Sequence, residues 1–146
     1  MHTNIIPNWN NKQAVIIITK VLDSDNSALV NELLGKIDVN SVIYGGSYSL
    51  LHYAARRNKI NSVGTLIQNG ANINARDRNG NTPLHFAAER NNLEVVNILL
   101  QNGANINASN NKWLFARDLT NNYNIRKLLE EHNIPDIKEP DSDYDN

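Results

Sequence analysis

The chain has no cysteine. That excludes disulfide staples, a thiol nucleophile and the common cysteine zinc sites, and it fits a reducing compartment. An excess of either charge is also missing. Lys and Arg total 14 against 15 Asp and Glu, leaving −1, so no global field draws the protein to nucleic acid or anionic membrane. No long apolar run occurs. "AVIIITKVL" (Ala14–Leu22) is broken by Lys20. No basic segment precedes it, and it falls well short of the roughly 20 residues a membrane helix needs. There is no P-loop and no dinucleotide fingerprint. The pair Gly45–Gly46 stands alone and reads as a loop tip. Histidines at 2, 52, 85 and 132 are too scattered to suggest the three or four convergent ligands of a zinc site. The expectation is a cytoplasmic, intracellular protein without metal or cofactor and without a membrane association.

What is abundant is asparagine, 27 of 146 residues. The asparagines are spread through apolar periodic segments, so they do not form a low-complexity tract. With the frequent isoleucine they suggest an AT-rich genome. The length is enough for one domain with a real core.

An internal period organises the chain. "IQNGANINAR" begins at Ile67 and "LQNGANINAS" at Leu100. The same 33-residue offset maps "LLHYAARRN" (Leu50–Asn58) onto "PLHFAAERN" (Pro83–Asn91). Within the second copy, Thr82 suits a helix cap and Pro83 the first turn, where its missing N–H costs nothing. Leu84, Ala87 and Ala88 give a packed face of one large and two small residues. Asn91 and Asn92 make a turn. Leu93, Val95, Val96, Leu99 and Leu100 form the stripe of a second helix, and Gly103 ends it as a left-handed cap. The first copy keeps Leu51, His52, Ala54, Ala55, Leu66, Gly70 and Asn74. It has Ser49–Leu50 in place of Thr82–Pro83, which predicts a weaker helix start.

A 33-residue helical repeat carrying T-P-L-H-x-A-A and N-G-A-N-I-N-A closely resembles the ankyrin repeat family. The resemblance covers about Ala14 to His132 and implies an all-α solenoid of helix-turn-helix units with hairpin loops. About four units are expected, within one domain over 1–135. These are an N-terminal cap at about 10–43, repeats at 44–76 and 77–109, and a truncated C-terminal cap at 110–134. In the first cap, two helices flank a turn at Asp23–Asn26. In the last, Asp118 stands at the position of His85, Trp113 replaces Gly80, and a deletion of about three residues is needed. Trp9 is expected against the N-terminal cap, and Trp113 is expected to seal the last unit. Residues 136–146 hold five acidic residues against Lys138, a net of −4, and read as a disordered tail. Subtracting −4 from −1 leaves +3 on residues 1–135.

The resemblance implies that His52 and His85 are structural, hydrogen-bonding around the hairpin and the first-helix start. Neither has a nucleophile or an orienting carboxylate at a recurring position, so catalysis is not expected. Asn74 and Asn107 fit loop ties better than sites of hydroxylation. In ankyrin folds the hairpin tips and the inner face of the first helices bind partners. Carried across, that surface comprises Gly45, Gly46, Tyr48, Arg56, Arg57 and Asn69, then Arg78, Asn79, Asn81, Glu89, Arg90 and Asn102. Asn111, Lys112 and Leu114 follow, and Arg76 borders them. Arginine and tyrosine favour interfaces.

The expected function is non-catalytic recognition of another protein, with an acidic segment as the natural target, by a monomeric adaptor, inhibitor or targeting factor. The alternative is a host-directed effector or toxin-neutralising protein of an AT-rich intracellular organism or virus, delivered into a host cell. Nucleic-acid binding and enzyme activity are weaker readings.

Overall fold

The computed structural model describes residues 12–132. Trp9 and the acidic residues 136–146 therefore lie outside the described residues. Among the described residues, eight helices and one hairpin follow in order. They are α1 (Lys12–Asp23), α2 (Ser27–Leu34), β1 (Val42–Tyr44), β2 (Tyr48–Ser49), α3 (Leu50–Arg56) and α4 (Ile60–Gln68). Then come α5 (Pro83–Glu89), α6 (Leu93–Gln101), α7 (Ala116–Leu119) and α8 (Tyr123–His132). Odd-numbered helices stack α1–α3–α5–α7 and even-numbered ones α2–α4–α6–α8. The result is a two-layered all-α ankyrin solenoid. The one addition to the expected helices is the antiparallel hairpin, pairing Val42 with Ser49 and Tyr44 with Tyr48.

The 33-residue period reappears in the backbone. Asp25, Asn58 and Asn91 all take positive φ, at 53°, 58° and 58°. Each sits in the turn between the two helices of its unit, where Asn and Asp tolerate the left-handed region better than most residues. Gly70 and Gly103 share φ of 87° and 89° past the ends of α4 and α6, the expected glycine caps. Ser47, Gly80 and Trp113 share the left-handed hairpin tip at 64°, 75° and 63°.

Packing follows the sequence stripe. Leu50, Leu51, Leu66, Leu84, Val95, Val96 and Leu99 are buried, with Ile18, Leu22 and Val30 before them and Ile125 and Leu129 after. Ala54, Ala55, Ala87 and Ala88 are fully buried, so the first helices approach over methyl groups. Truncating any of these leucines to Ala leaves a cavity costing about 2–5 kcal/mol. Leu93 sits at the rim instead.

The asparagines and serines tie unit to unit. Asn92 Nδ2 donates to the Ala55 carbonyl at 2.8 Å, and Ser62 Oγ to that of Leu22 at 2.9 Å. The Asn105 N–H donates to Asn74 Oδ1 at 2.7 Å. Thr120 Oγ1 donates to Asn91 Oδ1 at 2.7 Å. In the last unit the three-residue deletion falls within the first helix. α7 has 4 residues where α5 has 7, while the hairpin tip keeps the 33-residue register through Asp118.

Candidate functional site

Two caps set the frame of the site. Thr82 and Ser49 precede α5 and α3, each closing a capping box with the histidine three residues on. The Thr82 N–H donates to His85 Nδ1 at 3.1 Å, and His85 Nε2 meets the Leu114 carbonyl at 2.9 Å. A carbonyl only accepts, so Nε2 carries the proton and Nδ1 is the acceptor. His52 repeats this with the Ser49 N–H at 3.1 Å and the Asn81 carbonyl at 2.8 Å. Each ring thereby fastens its own helix start to the next unit's loop. The start at Ser49 is bonded like the one at Thr82, and differs in lacking the first-turn proline that α5 has in Pro83. Both histidines have pKa values lowered from the usual 6.5, chiefly because burial disfavours the charged ring. In the last unit the Asp118 carboxylate takes over the inner half of the role, accepting from the Phe115 N–H at 2.8 Å.

Between this frame and the β1–β2 hairpin lies an open groove of about 960 Å³. Its aromatic lining includes Tyr44, Tyr48, Tyr53 and Phe86, and its charged lining includes Arg56, Arg57, Arg78, Arg90 and Asp77. Tyr48 and Phe86 meet edge to face at 5.4 Å, with the His52 ring stacked on Tyr48 at 5.5 Å. Tyr44 leans on Tyr48 at 5.8 Å. Such contacts give a preformed aromatic floor. The hydroxyl of Tyr48 is buried without a hydrogen-bond partner among the described residues. Burial raises its pKa, and the donor and the charge of the adjacent Arg56 side chain oppose that shift.

The arginines divide. Arg57 Nε bridges Asp23 Oδ1 at 3.2 Å, its charge lying 5.8 Å over the Tyr53 ring. The Tyr53 hydroxyl donates to the same carboxylate at 2.8 Å. Burial and Asp23 push its pKa up to about 12. Arg56, Arg78 and Arg90 form no ion pair among the described residues. Arg90 is the repeat equivalent of Arg57. The position of Asp23 in the unit before Arg90 is occupied by Arg56, so the carboxylate that pairs with Arg57 has no counterpart there. Asp77, the lone acid of the groove lining, is engaged by the N–H groups of Asn79 and Asn81, each at 2.9 Å.

Gly46 lines the groove beside Arg78. The Arg78 N–H donates to its carbonyl. A Cβ at Gly46 would lie 2.8 Å from the Arg78 Cβ, so only glycine fits there.

Of the proposed contact residues, the groove gathers Gly45, Gly46, Tyr48, Arg56, Arg57, Arg78, Asn79 and Arg90. The others lie outside it. Asn69 and Asn102 end the second helices, their amides turned back onto the Thr65 and Ile98 carbonyls. Asn81 is occupied with Asn110 and Arg76 with the Ser109 carbonyl. Lys112 and Asn111 stand on the next hairpin, where Asn111 Nδ2 donates to the Arg78 carbonyl. Glu89 is exposed on α5 and Leu114 is half-buried. Phe86 and Tyr44 were not among the expected residues. Their signal was aromatic side chains flanking L-H and the hairpin. Trp113 does not seal the last unit: it is 83% exposed, because the left-handed tip carries its ring into solvent. No group of acidic or imidazole ligands able to hold a metal occurs among the described residues.

A family model described as ankyrin repeats (3 copies) matches residues 17–110. The chain belongs to the ankyrin repeat family. The ankyrin repeat protein OPG189 of Monkeypox virus is 46% identical over 61 residues, and those of Variola and Vaccinia virus are 44% and 43% identical over the same length. Each match covers 42% of this chain and 11% of the viral protein. The ankyrin fold is generally a non-enzymatic interaction fold whose members bind other proteins. None of the described helices is long and apolar enough to cross a membrane.

Proposed function

We propose that this ankyrin protein recognises an acidic segment of another protein through the groove over Tyr48 and Phe86, without catalysis, as a monomeric adaptor, inhibitor or targeting factor. One observation carries this reading: Arg56, Arg78 and Arg90 converge on an aromatic floor with no carboxylate partner among the described residues. Guanidinium groups pair planar and bidentate with carboxylates, and an aromatic floor supplies the apolar anchor typical of interface centres. A standard interface of roughly 800 Å² per partner would extend beyond the groove. The hairpin of Lys112 and the exposed Trp113 offer the next contacts along the edge. The recognising unit is the single domain over 1–135.

A second reading concerns whose protein is bound. The relatives are poxvirus proteins, which favours a host-directed role, inside a host cell, over a toxin-neutralising one.

The test is capture from host and source lysates with wild type and with Arg56→Ala/Arg78→Ala/Arg90→Ala. A partner held by wild type and lost by the still-folded variant is expected. A partner held equally by both places the interface elsewhere and overturns the reading.

A further inference from the structure

We infer that the groove is occupied in the resting protein by the chain's own residues 141–145, so that a partner must displace them. The inference rests on the groove being the recognition site and adds its regulation. Three observations on this molecule converge. The groove presents three arginines without acidic partners among the described residues, over an aromatic floor. The stretch "DSDYDN" (Asp141–Asn146) sets one aromatic residue, Tyr144, between Asp143 and Asp145, with Asp141 two residues before. No other stretch of the chain places an aromatic directly between two acidic residues. The charges match in number as well as sign: three carboxylates face Arg56, Arg78 and Arg90.

Reach permits the contact. Residues 133–144 are 12 residues, spanning about 40 Å when extended. α8 belongs to the last unit and the groove to the two units before it. Helices pack about 8–10 Å apart, so one or two units sideways and one layer inward amount to about 20–30 Å. Tyr144 would lie on Tyr48 and Phe86, offset or edge to face, with the flanking carboxylates on the guanidiniums. Because the segment is tethered, it competes at an effective concentration on the order of mM.

The experiment uses the full chain and a full-length variant, Asp141→Asn/Asp143→Asn/Tyr144→Ala/Asp145→Asn, whose changes touch no residue of the helical units. The probe is a synthetic peptide of residues 139–146. The readouts are the NMR signals of the Arg56, Arg78 and Arg90 Nε–H groups and of the Tyr48 and Phe86 rings, with peptide titration. The expected result is that the variant moves these signals, and that peptide binds the variant at least about 10-fold more tightly than wild type, because the tethered copy no longer competes. Unmoved signals overturn the inference. So does peptide binding of equal strength to both chains, or signal differences that vanish on dilution, which would mean a second copy supplies the segment. Each of these leaves partner capture by the arginines intact as a separate result. Capture that ignores the arginines would in turn sink the recognition site without touching the peptide data.

Discussion

Arg57 and Arg90 are the same residue at the same place in consecutive units, and they do different things. Arg57 meets Asp23 from the unit before it and is neutralised. For Arg90 the equivalent position holds Arg56, and Arg90 has no acidic partner among the described residues. The histidines of the same two units show the opposite behaviour: His52 and His85 make matching bonds at matching distances. Residues that hold the frame repeat together with their partners. Arg90, which repeats while its partner changes, is freed from the frame and lines the groove.

The comparison breaks most severely at the frame. Replacing His85 by Ala strands the Thr82 N–H and the Leu114 carbonyl and leaves a cavity, at a cost of about 2–4 kcal/mol in denaturant unfolding. His52→Ala should cost a similar amount. Equal behaviour of the pair is the prediction; a marked difference would show that the two caps are not equivalent.

Acid attacks the same two rings. In the unfolded chain each histidine titrates near 6.5, while in the folded chain burial lowers the pKa. For His85, Arg76 adds to that effect while Asp77 and Asp118 oppose it. Below pH 6.5 the unfolded state therefore binds more protons, and stability falls as pH falls until the lowered folded values are passed. Melting temperatures taken from pH 7.5 to 5 should drop across that window, and in His52→Gln/His85→Gln the histidine part of the slope should vanish.

Smaller changes probe the loop edge. Gly46→Ala forces a side chain onto a φ of 84° and against the Arg78 Cβ, costing about 1–3 kcal/mol. Trp113→Gly should do the reverse. It restores the residue Gly80 carries at the equivalent tip and stabilises by about 0.5–1 kcal/mol, since the exposed ring has little packing to lose. Smallest of all in stability is Arg56→Asp, which gives Arg90 the neighbour that Arg57 has. An exposed pair of this kind contributes about 0.2–1 kcal/mol, so melting should hardly move while partner binding is lost.

The frame was legible because its bonds are local and periodic. T-P-L-H fixes Thr82, Pro83, Leu84 and His85 within one turn, and Gly70 and Gly103 mark helix ends by spacing alone. The site was legible only in part. Arg56, Arg57, Arg78, Arg90, Tyr48 and Asn79 lie together because repeat equivalence predicts which residues share an edge. It does not predict where a long amide turns, and Asn69 and Asn102 turn back onto their own helices. Nor does it show cross-unit pairing: Asp23 and Arg57 stand 34 positions apart, one off the period. Phe86 was hidden inside a motif that reads as frame. Trp113 occupies a position whose backbone, rather than its side chain, decides exposure.

The most direct measurement sets Arg57→Ala beside Arg90→Ala, reading melting temperature and affinity for the captured partner on both. Arg57→Ala loses the exposed pair with Asp23, about 0.2–1 kcal/mol, together with the cation–π contact on Tyr53, about 0.5–1 kcal/mol, so it should lower the melting point by a few degrees at about 2–4 °C per kcal/mol and weaken binding only slightly. Arg90→Ala should leave the melting point in place and weaken binding by at least about 10-fold, the scale of a lost charge-paired contact. If the two variants behave alike in both readouts, the division between frame and recognition drawn from these two arginines is wrong.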